Sequence, residues 1–137
     1  MKSFRQQFTQ LHDKHGQLVD VWAPLLMTRL LGTRHVRVRM LVDSGSTESL
    51  IGETLARAVG LMVTNEEVEL TGLGGSKAIG RVASATIEYG LGRFSFKSRV
   101  VVAPDFEEHH ALLGIRDFFL RHRVTFDASE RWFSPKN

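Results

Sequence analysis

The sequence predicts a small, mainly β domain with one or two short helices, on three observations. Residues 35–42, HVRVRMLV, alternate apolar and polar side chains with the period of two that a half-buried strand requires. Other apolar runs come in pairs around glycine-containing turns, the pattern of antiparallel hairpins. Helical spacing is confined to short stretches.

In chain order, residues 1–17 are polar and rich in Gln and His, with Phe4, Phe8 and Leu11 at helical spacing, which suits a short amphipathic arm. Residues 1–20 are therefore set apart as an N-terminal arm, expected to be flexible, from one domain over residues 21–137. Residues 23–31 and 35–43 read as a hairpin across Gly32, with Val36, Val38, Met40 and Val42 on one face and Arg37 and Arg39 on the other. Beyond Gly45, the spacing of Leu50, Ile51, Leu55, Ala58 and Val59 predicts a short helix, with Gly60 as its C-cap. Residues 66–90 give two strands around a glycine-rich tip, and residues 93–103 add another before Pro104. An apolar run then ends at Gly114, a brief helix follows through Phe119, and VTF and RWF form the arms of a last hairpin. The expected total is about seven strands and two short helices, with no internal repeat or low-complexity tract.

At 137 residues and 42% hydrophobic content the chain supports one core. Cysteine is absent, which excludes a disulfide framework, a thiolate nucleophile and a Cys-based metal site. The net charge of +3 is too small to imply a nucleic-acid partner. Residues 1–40 carry seven Lys or Arg against Asp13 and Asp20, a net of +5, leaving −2 for residues 41–137. That local excess reads first as a solvated outer face. The most apolar stretch, Val19–Leu31, is interrupted by Asp20, Pro24 and Arg29, so no membrane-spanning helix is expected. The N-terminus lacks the apolar core of a signal peptide, which makes a cytoplasmic location the default expectation. Two clusters, His12-Asp13-His15 and Glu107–His110, have metal-ligand chemistry, but a solvated or structural role is the expectation and no cofactor is assigned. Trp22 and Trp132 lie at the ends of apolar runs, as packing or interface residues do.

The stretch MLVDSGSTESLI, residues 40–51, carries the chemistry. A carboxylate at the end of a buried strand costs several kcal/mol unless something holds or uses its charge, so Asp43 demands a reason. Asp-Ser-Gly alone is also an ordinary turn. Here the apolar run Leu41-Val42 precedes it, the glycine tip Gly72-Leu73-Gly74-Gly75 follows 29 to 32 residues on, and Leu112-Leu113-Gly114 ends 71 residues on. Together, from about Pro24 to Phe133, these features resemble the retropepsin-like (retroviral-type) aspartic proteases, and most of all their bacterial single-domain members.

The resemblance implies a small closed barrel-like β fold with a glycine-rich flap hairpin, and an aspartic endopeptidase that needs no cofactor or metal. It makes Asp43 catalytic, with Ser44, Gly45 and Ser46 supporting its turn. Gly72, Leu73, Gly74, Gly75 and Ile79 fall in the flap and its substrate contacts, and Leu113 and Gly114 in the second loop that crosses behind the turn. The motif occurs once, since Phe126–Glu130, FDASE, lacks the glycine. The second carboxylate must then come from a second chain, which implies an obligate homodimer acting on peptide or protein substrates. One departure stands out: relatives commonly place Arg or Met directly after the second-loop glycine, whereas here Ile115 intervenes before Arg116-Asp117.

The same residues admit three rival readings. A phosphate-binding loop at residues 71–77 fails, because TGLGGSK completes neither GxxxxGK[ST] nor GxGxxG. A nucleic-acid-binding β domain would rest on Arg34, Arg37 and Arg39, which lack interleaved aromatic residues. A catalytically weak or inactive dimeric binding module of retropepsin fold is the alternative that the altered entry after Gly114 leaves open.

Overall fold

The computed structural model describes residues 4–104 and 111–136, with the backbone alone at Leu73. In chain order the elements are β1 (Gln6–Gln7), β2 (Thr9–His12), β3 (Leu18–Ala23), β4 (Leu25–Leu31), β5 (His35–Val42), β6 (Leu50–Gly52), the helix α1 (Glu53–Val59), β7 (Val63–Thr71), β8 (Lys77–Tyr89), β9 (Phe94–Ala103), β10 (Leu112–Leu113), β11 (Arg123–Asp127) and β12 (Trp132–Lys136).

Six of these strands close into a ring. β4 and β5 form the predicted hairpin, β5 runs parallel to β10, β10 pairs antiparallel with β6, and β6 runs parallel to β9. β9 then pairs with β8 along nine residues, and β8 returns to β4. β7 hangs on the free side of β8. Leu26, Leu30, Met40, Ile51, Ile87, Val100 and Leu113 are fully buried in the core. The alternation in β5 is obeyed: Met40 and Val42 are buried, Val36 and Val38 half-buried, Arg37 and Arg39 exposed.

Leu50 and Ile51 form strand β6 instead of opening the helix, which starts at Glu53. Burying Ile51 between β9 and β10 is worth roughly 2 kcal/mol, whereas helix propensities differ by only tenths of a kcal/mol per residue. The helix ends as expected, with Gly60 left-handed at φ 74° and its N–H shared by the carbonyls of Ala56 and Arg57. Arg34 donates to the carbonyls of Ala58 at 2.9 Å and Arg57 at 2.7 Å, so one member of the basic stripe caps this helix.

The N-terminal segment also departs from its helical reading, since β1 pairs with β12 and β2 with β3. A separation of four residues satisfies period two as well as period 3.6, so Phe4 and Phe8 share a face in either conformation. Phe4 packs edge-on to Tyr89 with ring centroids 5.5 Å apart, and Phe8 lies 6.1 Å from Phe133. The C-terminal hairpin pairs within its own chain, Phe126 opposite Phe133, and β1 joins it as a third strand. Trp22 and Trp132 each lie under a guanidinium, of Arg131 and Arg5 respectively. Among the described residues no helix is long and apolar enough to cross a membrane.

Candidate functional site

Asp43 leaves the carboxyl end of β5, where its N–H donates to the Leu113 carbonyl at 2.9 Å. The turn is closed locally: Asp43 Oδ1 accepts the Gly45 N–H at 2.9 Å, and the Asp43 carbonyl accepts the Ser46 N–H at 3.2 Å. The carboxylate is therefore held by main chain and aimed without help from another side chain. Ser46 Oγ donates to the Glu48 carbonyl at 2.7 Å, which ties the next turn to the first. Ser44 is exposed and makes no hydrogen bond among the described residues.

The second loop runs directly behind. Leu112 and Leu113 lie parallel to Leu41 and Val42, and Gly114 N–H donates to the buried Ser49 Oγ at 3.0 Å. A Cβ on Gly114 would collide with the Glu48 carbonyl oxygen and stand 2.6 Å from that of Ser46, so no other residue allows this crossing. Beyond it the N–H groups of Ile115 and Arg116 donate to the carbonyls of Ser46 at 2.8 Å and Thr47 at 2.9 Å. The expected helix through Phe119 is instead one wide, irregular turn: Arg116 is extended at ψ 130°, and Asp117 is left-handed at φ 68°. The additional residue is absorbed by hydrogen bonds five residues back, Phe119 to Gly114 at 3.3 Å and Leu120 to Ile115 at 3.1 Å. Arg116 nonetheless reaches Glu48, its Nε 3.3 Å from Oε1.

The flap is the free end of the β7–β8 hairpin. β8 pairs with β9 only from Arg81 onward, so residues 67–71 and 77–80 project beyond the ring. Its tip, Leu73–Gly75, is a tight turn with Gly74 at φ 77° and Gly75 at φ 80°, and nothing stands within 4 Å of a Cβ built at either. Strand alternation sorts the arms: Val68, Leu70 and Ala78 share one face, while Glu67, Glu69, Ile79 and Arg81 share the other. Ile79 therefore lines a groove of about 580 Å³ with Ala56 and Arg57 of α1, Leu61, Val63 and Val102. Asp43 is not part of that groove.

Among the sequence-predicted site residues, the structure brings Asp43, Ser44, Gly45, Ser46, Leu113 and Gly114 into one unit, and sets Gly72, Leu73, Gly74 and Gly75 at a projecting tip. Glu48, Ser49 and Arg99 were not foreseen. Glu48 is buried within 3.7 Å of Arg99 Nε as well as beside Arg116. The only advance sign of Glu48 and Ser49 was an acid and a hydroxyl opening an apolar run. Among the described residues no cluster could hold a metal ion. Asp13 instead folds its loop, accepting the N–H groups of His15 at 2.8 Å and Gln17 at 3.0 Å. Glu107–His110 lies outside the described residues.

Comparison with known proteins bears on the fold and the family. Solved structures that share the fold include the following three. A retropepsin-like aspartic protease from Rickettsia conorii aligns with a TM-score of 0.53 at 15% identity, covering 98% of each chain. The EIAV protease, solved with the inhibitor HBY-793, aligns at 0.51 and 21%, covering 67% of this chain and 81% of that one. The retroviral protease-like domain of Ddi1 from Leishmania major aligns at 0.52 and 19%, covering 77% of this chain and 83% of that one. A search of curated proteins found no match. The family model for aspartyl protease matches residues 29–116, from mid-β4 past the second-loop glycine. The chain, retropepsin-like in fold, thus belongs to the aspartyl protease family.

Proposed function

We propose that the chain is an aspartic endopeptidase active as a homodimer, with Asp43 of each protomer meeting across the two-fold axis. The observation that carries this reading is a single Asp-Ser-Gly turn whose carboxylate is fixed by the Gly45 N–H and whose backbone is pinned by Leu113. Peptide hydrolysis needs one group to take a proton from water and another to give one to the scissile carbonyl. Two facing carboxylates that share one proton do both, since close like charges resist simultaneous ionisation. Ser44, with no partner in its own chain among the described residues, is free to bond main chain across the dimer. The glycine tip, Gly72 to Gly75, closes over an extended peptide and offers backbone hydrogen bonds. The Leu70–Ala78 face of the flap meets substrate side chains, and Ile79, exposed on the other face, offers apolar contact along the groove it lines with α1.

The test compares wild type with Asp43→Asn on a mixed peptide library by mass spectrometry, across about pH 4 to 7, where carboxylate dyads work. Sedimentation is measured in parallel. Cleavage confined to the wild type, in dimeric fractions, is the expected result; equal cleavage by the variant refutes the proposal. The irregular turn at Arg116-Asp117 favours a second reading, a dimeric binding module without turnover. Folded dimers that cut nothing would select it.

A further inference from the structure

We infer that Arg99 is a positioning residue that couples the flap-bearing strand to the Asp43 turn, a role that rests on the endopeptidase reading. Three carboxylates from three separate elements converge on it. Glu48, in the turn between Asp43 and β6, lies 3.7 Å from Arg99 Nε. Glu66, in β7, accepts a hydrogen bond from Arg99 Nη1 at 3.2 Å. Asp117, in the wide turn after Gly114, accepts the Arg99 backbone N–H on Oδ2 at 2.7 Å.

Strand register explains the convergence. β6 and β9 run parallel with Leu50 opposite Val101, so Glu48 and Arg99, each two residues upstream, come side by side. On the other flank the register of β7 against β8 shifts between Val63 and Glu67, and within this irregularity Glu66 reaches past β8 to β9. Asp117 adopts φ 68°, a left-handed conformation that strains a non-glycine residue. The carboxylate so directed anchors the Arg99 backbone, and only the side chain is left free to move.

The ion pair at the centre is incomplete. The Glu48 side chain is 11% exposed and that of Arg99 28%, burial at which unpaired charges are costly. Yet Glu48 Oε2 and Arg99 Nε both lack a hydrogen-bond partner. They face each other at 3.7 Å, beyond bonding distance, and a shift of about 1 Å makes a charge-assisted hydrogen bond. Flap closure, acting on Arg99 through Glu66, supplies that shift. Closing the flap thereby tightens the segment that carries Asp43, through a residue that touches no substrate.

The test is hydrogen exchange read by mass spectrometry on the full-length Asp43→Asn protein, which reports coupling whether or not the chain cleaves peptides. Steady-state cleavage is measured beside it with Asp43 intact. In Arg99→Met, amide exchange is expected to rise roughly five- to tenfold in residues 44–49 and 64–71 together. Cleavage should lose kcat with little change in KM, and Arg99→Lys should recover part of both effects. Glu66→Gln alters only the exposed end of the network and keeps the proposal testable if Arg99→Met does not fold: exchange in residues 44–49, on a different element, should still rise. Unchanged exchange in residues 44–49 in Glu66→Gln, or a response in Arg99→Met confined to β9, overturns the coupling. Coupled exchange without wild-type cleavage would sink the endopeptidase reading and leave the coupling standing.

Discussion

Between Asp43 and Ser49, main-chain groups interlock with those of residues 113–116, whereas the flap tip from Thr71 to Lys77 holds itself with two backbone hydrogen bonds, Gly72 to Ser76 and Gly75 to Gly72. Both regions depend on glycine, for opposite reasons. Gly114 is extended and required because two carbonyl oxygens occupy the space of a Cβ. Gly74 and Gly75 have open space around them and are required only by their positive φ. A site that must hold one carboxylate still and admit a long substrate needs both kinds of segment, and their substitutions should differ in kind.

The largest effect is expected at the packed end. Gly114→Ala forces a Cβ against two fixed carbonyls and should cost about 3 kcal/mol, by analogy with overpacked cores, visible as a lower urea midpoint with unchanged slope. A shift below about 1 kcal/mol would mean that the second loop can slide away from the Asp43 turn, and the contrast with the flap would collapse. Ser49→Ala comes next. Its hydroxyl is fully buried and accepts the Gly114 N–H at 3.0 Å, so removal strands a donor at about 2 kcal/mol. Thermal unfolding would detect this, and a neutral outcome would show the loop rebonding elsewhere.

The two regions also differ in how readily the sequence discloses them. The Asp43 turn and the flap tip are contiguous motifs, so apolar runs, glycines and their separations locate them directly. The network behind them is not contiguous: Glu48 meets Arg99 only because β6 and β9 run parallel in one register, which 50 intervening residues conceal. Ile115 did signal trouble, as an additional residue before Arg116. What no pattern foretold was the response, a left-handed Asp117 whose carboxylate bonds β9 while Arg116 still pairs with Glu48. The helical misreading of Leu50 and Ile51 has the same origin, since burial decided by distant strands outweighed local periodicity.

At the open end, Gly74→Ala should cost only about 1 kcal/mol, the strain of a left-handed alanine with nothing to strike. Its effect should fall on peptide cleavage more than on thermal stability, as kcat and KM change together when a closing loop stiffens. Loss of stability comparable to that of Gly114→Ala would show that the tip is packed in the working molecule, as it would be beneath a partner's flap.

The smallest effect at neutral pH is expected at His122, and acid should enlarge it. The ring stacks on Phe118 with centroids 4.5 Å apart and its Nδ1 bonds the Phe118 carbonyl at 2.9 Å, beneath the wide turn that follows Gly114. Burial pushes its pKa below the ordinary value of 6.5, and the Arg121 charge adds to this against the opposing pull of that hydrogen bond. Between the lowered value and 6.5 the unfolded chain binds more protons than the folded one, so stability rises with pH there and falls on acidification below 6.5. His122→Phe keeps the stack and leaves the Phe118 carbonyl bonded to the N–H groups of Arg121 at 3.1 Å and His122 at 2.9 Å, now the backbone of the new residue. At pH 7 the variant should melt close to wild type; below pH 6.5 it should lose stability less steeply. Parallel melting curves across that range would mean that the aromatic packing under the second loop accepts a charged ring, and that the dense half of the site is looser than its hydrogen bonds imply.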